Sequence, residues 1–236
     1  MAILLSASCI NAKTLVVYYS FTNNVHTIVN NLHTQIDADV IRIEPAEKGI
    51  DYADNNYAAG SALISAIRNN PDDAASYPAI DPVEVNLDEY DMVIVAAPLW
   101  WSQMAAPLQT FLFQHGKEMK GKHIGLIVSS ASSGISSVVA DAKRLIPQGI
   151  FLEPNLWIRS SQVSNCHSMI EQWLKDIDYT AITSSISAVG SDGEEEVIAR
   201  YNMGGQRIAA EQQIAGISIT QYRKAGKTYS KKSIVK

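Results

Sequence analysis

Over the first 180 positions, apolar residues fall in short continuous runs separated by segments of helical period. The runs at residues 15–19, 40–43, 92–97, 124–129 and 151–158 are predominantly β-branched or apolar, without strict alternation. That is the pattern of strands buried on both faces. Between them, apolar positions recur at helical spacing over residues 26–35, 57–68, 106–114, 136–145 and 168–177. In the last segment Met169, Ile170, Trp173, Leu174 and Ile177 share a face behind Asn165 as a helix cap. Five strand–helix alternations predict an α/β fold over residues 13–180, a doubly wound five-stranded parallel sheet covered by helices.

The pattern then changes. Residues 181–195 are Ser-rich, contain Gly190 and Gly193 and run into glutamates, which reads as a linker. Strand-like runs at 197–203, 214–222 and 228–235, with a Gly204-Gly205 turn, predict a small β module over residues 196–236. Such a module is marginal alone, because so short a chain buries little surface. At the other end, residues 1–12 are uncharged and close on Ile10-Asn11-Ala12, the shape of the later part of a secretory signal cut after Ala12. The positive segment that opens such a signal is missing, and a plain N-terminal extension is the other reading. The first reading implies export to the periplasm or cell envelope; the second, a cytoplasmic protein.

With 236 residues, 47% hydrophobic and 18% charged, the chain has ample apolar material for a core and no disorder-like bias. No apolar run reaches the roughly 18 residues of a membrane span. Cys9 and Cys166 are too few for a disulfide-stapled scaffold or a multi-cysteine metal centre. The net charge of −5 hides an asymmetry: six basic residues and no acid lie between Tyr222 and Lys236, which leaves residues 1–221 at −11. A body that acidic repels nucleic-acid phosphates, and no nucleic-acid partner is expected.

An open parallel sheet binds its ligands beyond the carboxyl ends of the strands, so the loops after the first, third and fourth strands carry the candidate chemistry. The first is Ser20-Phe21-Thr22-Asn23-Asn24-Val25, leading into a helix. A helix N-terminus attracts an anion, and hydroxyls and carboxamides add neutral donors. The same residues are also ordinary helix caps. No Lys or Arg stands between Lys13 and Arg42, which argues against a nucleoside triphosphate loop. After the third strand comes Pro98-Leu99-Trp100-Trp101-Ser102. Neighbouring residues of an extended chain point to opposite sides, so one indole is expected in the core and the other is free to stack on a flat heteroaromatic ligand. The third loop, Ser129-Ser130-Ala131-Ser132-Ser133-Gly134, is small enough for its backbone N–H groups to approach a ligand edge.

Together these residues resemble the flavodoxin-like FMN proteins, and particularly a bacterial branch with paired tryptophans after the third strand. The likeness covers about Lys13 to Leu174. It rests on Tyr19-Ser20-Phe21-Thr22-Asn23-Asn24-Val25, on Tyr90-Asp91 before the third strand, on Pro98-Leu99-Trp100-Trp101, Pro107 and Phe111-Leu112, on Gly121-Lys122, and on Ser133-Gly134. The resemblance implies sheet order 2-1-3-4-5 and FMN as cofactor, with its phosphate on Ser20, Thr22 and Asn24. It places the flavin ring near Leu99–Ser102 and Ser129–Gly134. Four positions depart from the family. Asn23 replaces the usual Gly and, if the backbone there needs a positive φ, is the least costly substitute. Val25 replaces a hydroxyl residue and removes one phosphate donor. Ala131-Ser132 replaces glycine-like positions beside the flavin edge.

The implied function is FMN-dependent redox chemistry, as an electron carrier or a small quinone- or NAD(P)H-linked reductase. A redox protein or a small-molecule electron acceptor would be the partner. The alternative is a flavodoxin-like binding module that has lost FMN. The tail, from Arg200-Tyr201-Asn202-Met203-Gly204-Gly205 through Gly216-Ile217-Ser218-Ile219 to Lys232-Ser233-Ile234-Val235-Lys236, resembles the C-terminal sorting domains of exported Bacteroidetes proteins. No Gly-x-Ser-x-Gly elbow, Cys-x-x-Cys pair or two-histidine metal spacing offers a competing chemistry.

Overall fold

The computed structural model describes residues 12–185, 196–202, 206–208, 216–224 and 227–235. The expected signal segment and the Gly204-Gly205 turn lie outside the described residues. The chain forms two compact units, residues 1–186 and 187–236.

The first unit alternates β1 (Thr14–Tyr18), α1 (Asn24–His33), β2 (Asp39–Arg42), α2 (Asp54–Asn69), β3 (Met92–Trp100), β4 (Gln103–Met104), α3 (Ala106–His115), β5 (His123–Ser130), α4 (Ser136–Leu145), β6 (Ile150–Phe151), β7 (Leu156–Arg159), α5 (Cys166–Asp176) and α6 (Tyr179–Ser185). The strand order is β2-β1-β3-β5-β6, with β7 also on β5, and all these pairings are parallel. This is the doubly wound α/β sheet read from the sequence.

Every residue of β1 is buried, because the strand has helices over both faces. Leu15 and Val17 share one core cluster with Ile64 and Ile67 of α2, Leu108 and Phe111 of α3, and Val138 and Ala142 of α4. Val16 and Tyr18 pack on the opposite face with Val25, Ile28, Val29 and Leu32 of α1 and with Ile170 and Trp173 of α5. The 3.6-residue spacing of the α1 set turns one stripe of the helix inward.

Three local features differ from the expectations. The fifth strand, expected at 151–158, is two pieces, β6 and β7, both laid along β5. Pro154 lies between them and brings no N–H to a ladder. Residues 181–185, expected as the start of the linker, belong to α6. There Tyr179 and Ile182 pack against the α1–α5 face, and the Tyr179 hydroxyl bonds Thr14 Oγ1 at 3.0 Å. The third feature is β4, which follows β3 as the second arm of a hairpin (Leu99 opposite Met104, Trp100 opposite Gln103). The turn residues Trp101 and Ser102 are both left-handed, with φ of 45° and 67°, as a two-residue type I′ turn demands.

The second unit is an antiparallel sheet of β8 (Glu196–Asn202), β9 (Arg207–Ile208), β10 (Gly216–Lys224) and β11 (Lys227–Val235) in the order β11-β10-β8-β9. Among the described residues no helix is long and apolar enough to cross a membrane.

Candidate functional site

The carboxyl ends of β1, β3 and β5 open on one cleft of about 530 Å³, within the range of pockets that take cofactor-sized ligands. The first loop lines it with Ser20, Phe21, Thr22, Asn24 and Val25, the second with Pro98, Leu99, Trp100 and Trp101, and the third with Ser129, Ser130 and Ala131. Among the described residues none that lines it is charged. Among the described residues no cluster of three His, Cys, Asp or Glu side chains could hold a metal ion.

The first loop is shaped by Asn23, which does not line the cleft but caps α1 at φ 64°, in the left-handed region. This conformation costs a residue with a β-carbon about 1–2 kcal/mol, and Asn bears it better than most. The turn brings Ser20 Oγ to accept the His26 N–H at 3.2 Å. An α-helix leaves its first N–H groups without intrahelical acceptors, and those of Asn24 and Val25 belong to residues on the cleft wall. Behind the loop, Arg42 Nη2 donates to the Ser20 carbonyl at 3.3 Å while its Nε pairs with Glu44 at 2.7 Å. That cation is therefore balanced and braces the loop from outside.

The tryptophans divide between core and cleft, but through the turn rather than an extended strand: Trp100 ends β3 and Trp101 is left-handed at φ 45°. Trp100 is 9% exposed and meets Tyr19, Phe21 and Tyr52 through ring contacts of 5.5, 6.3 and 5.0 Å. Trp101 is 38% exposed, lies 6.2 Å from the Tyr57 ring and rests on Gly60 of α2. Trp100 is the anchor and Trp101 the free face. Burial holds the Tyr19 and Tyr52 phenols above their usual range, so both stay protonated and present no charge.

On the far side the Trp157 indole donates to Ser130 Oγ at 2.8 Å, and Ser130 Oγ donates to the Ser133 carbonyl at 2.8 Å. Ser133 thus shapes the third loop without lining the cleft. Ser132 and Gly134 are exposed beyond it, and Ser102 sits in the hairpin turn. Ser160 bridges the loops, donating to the Ser130 carbonyl at 3.4 Å and accepting from Asn24 Nδ2 at 3.3 Å.

Tyr52, Ala53, Asn56, Tyr57 and Ser160 also line the cleft and were not expected from the sequence. Tyr52 and Ala53 come from the connection after β2 and Asn56 and Tyr57 from the start of α2, where two tyrosines in a polar stretch were the available signal. Ser160 follows β7, whose carboxyl end must lie on the same side as those of the other parallel strands. Asn55, Asn56 and Tyr57 are left-handed in succession, with φ of 46°, 54° and 62°, so the wall they form is a strained one.

A family model described as flavodoxin matches residues 13–177. No curated protein matches the sequence. Among solved structures, a protein assigned as a flavoprotein from Bacteroides eggerthii is 24% identical, with 71% of this chain and 99% of that chain covered and a TM-score of 0.58. A flavoprotein from Lactobacillus acidophilus, solved in complex with FMN, is 21% identical over 65% of this chain and 97% of that one, with a TM-score of 0.51. At these identities the structural likeness establishes a shared fold.

Proposed function

This chain belongs to the flavodoxin family, and we propose that it binds FMN in the cleft at the carboxyl ends of β1, β3 and β5 and serves as a redox protein, an electron carrier or a small flavin reductase. The observation that carries this reading is the junction, in one uncharged cleft, of the α1 N-terminus with an aromatic wall. The donor set suits the cofactor. The hydroxyls of Ser20 and Thr22, the Asn24 carboxamide and the first-turn N–H groups of α1 would hold a phosphate dianion through dipoles and neutral donors. Leu99 and the free face of Trp101 would take one side of the flavin ring, and the small residues Ser129, Ser130 and Ala131 its polar edge.

FMN would supply the electron-transfer chemistry; the chain supplies position and surroundings. Among the described residues no carboxylate, imidazole or amine lines the cleft, and the Tyr19 and Tyr52 phenols stay neutral. The residues therefore orient the cofactor and keep its ring in an uncharged setting, and none is assigned to move a proton. Export is a further part of the proposal, supported by the tail's likeness to sorting domains; fractionation of native cells tests it, and a protein found only in the cytosol would refute it.

The cofactor is tested by colour. Purified protein is expected to be yellow, to lose its flavin absorbance on stripping and to regain it with added FMN. A colourless protein that takes up no FMN would leave a cofactor-free binding module on the same fold.

A further inference from the structure

Met104, in the short strand β4 directly after the Trp101-Ser102 turn, has both backbone polar groups held by buried side chains. Its N–H donates to Asp141 Oδ2 of α4 at 2.9 Å, and its carbonyl accepts from Gln109 Nε2 of α3 at 2.7 Å. One arginine joins the two holders. Arg144 Nη2 donates to Gln109 Oε1 at 2.9 Å and lies 3.5 Å from Asp141 Oδ1, while Nη1 donates to the Tyr77 hydroxyl at 3.0 Å. Asp141 is 6% exposed and Gln109 fully buried.

We propose that Asp141, Gln109 and Arg144 form a positioning clamp that fixes the Trp101-Ser102 turn in the shape a bound flavin ring meets, an assignment that rests on the FMN reading above. A neutral acceptor would be enough to satisfy one buried N–H. The arrangement goes further, because the shared arginine ties α3 and α4 to the same residue of the hairpin. The turn needs such a hold. Trp and Ser, unlike Asn-Gly, do not favour two successive left-handed residues, so an unclamped hairpin would relax toward ordinary backbone and carry Trp101 off its seat on α2. Strain kept at a ligand wall persists only where the surroundings over-determine it, and here they do so from α3 and α4. α2 adds a third contact, Arg68 Nε to Gln103 Oε1 at 3.5 Å.

The test compares Asp141→Ala, Gln109→Leu and the conservative Asp141→Asn with the wild type in the full chain. Circular dichroism of the flavin-free protein reads the exciton coupling of Trp100 and Trp101, whose ring centroids stand 6.3 Å apart at 83°. Titrations with FMN and with riboflavin read the ring site. The two disruptive variants are expected to lose the coupling and to bind both flavins more weakly by the same factor, about tenfold. Asp141→Asn, whose amide oxygen still accepts the Met104 N–H, is expected to restore most of both. If the disruptive variants fail to fold, Gln109→Glu, which keeps the acceptor for Arg144 and loses the donor to Met104, is expected to show the same equal loss. Folded variants with unchanged coupling and unchanged flavin affinity overturn the clamp. Loss of coupling in the variants, with no flavin uptake by the wild type, overturns the FMN reading instead and supports the clamp's hold on the turn.

Discussion

Gly60 and Trp101 are in direct apposition: a β-carbon at Gly60 would stand 2.8 Å from Cη2 and Cζ3 of the indole. Gly60 lies inside α2, where glycine normally costs about 1 kcal/mol against alanine. The cost is tolerated because the bare backbone lets the indole lie on the helix. Gly60→Ala is therefore expected to bring no rise in melting temperature, to shift tryptophan emission and to weaken FMN several-fold. A simple gain of stability with unchanged emission would show that Trp101 does not rest there.

The first loop is read through Thr22. If it donates to the FMN phosphate, Thr22→Ala removes a bond to a charged group, worth about 1.5–3 kcal/mol. Calorimetry is then expected to show FMN weakened roughly ten- to a hundredfold and riboflavin nearly unchanged. Equal losses for both ligands would place the phosphate elsewhere.

Asn23 at φ 64° sets a stability experiment with two arms. Asn23→Gly meets the backbone demand and is expected to stay within a few tenths of a kcal/mol of the wild type. Asn23→Ala keeps a β-carbon without the amide and is expected to lose about 1 kcal/mol, read as a lower urea midpoint at unchanged slope. Matching midpoints for the two variants would refute the positive φ.

Burial raises the Asp141 carboxyl above its ordinary 3.8, against the Met104 N–H and Arg144, which favour the charged form. The folded chain thus holds this proton more tightly than the unfolded chain, and the stability it contributes falls as pH rises from 3.8 through the raised value. Asp39, held low by Lys13 and Tyr90, acts with the opposite sign and is the same in wild type and variant. Asp141→Asn is therefore expected to gain stability relative to wild type as pH rises across that window. Urea midpoints measured from acid to neutral pH check this, and a constant difference between the two proteins would contradict it.

The continuous apolar runs of β1, β3 and β5 made the parallel sheet legible, because a strand covered on both faces has few polar positions to disguise it. Asn23 was readable for a similar reason: a family glycine replaced by Asn points to a positive φ, and the backbone has one. Legibility ended where long-range packing decides. Nothing local in Trp101-Ser102 announces a type I′ turn, since its hold comes from Asp141 and Gln109 on two other helices. Tyr52 stood in a polar connection and Tyr57 at the first position of a helical-period segment, and the place of Tyr57 on the cleft wall depends on left-handed residues that local propensity disfavours. The split of the fifth strand was nearer to hand, because Pro154 cannot donate to a ladder.

The central claim is that neutral donors at the α1 N-terminus hold the phosphate of FMN. Paired calorimetric titrations of the flavin-stripped protein with FMN and with riboflavin test it most directly. The expected result is one FMN per chain, bound at least tenfold more tightly than riboflavin, as a phosphate held by charge-assisted bonds requires. Equal affinity for the two flavins, or no uptake of FMN, would contradict the account.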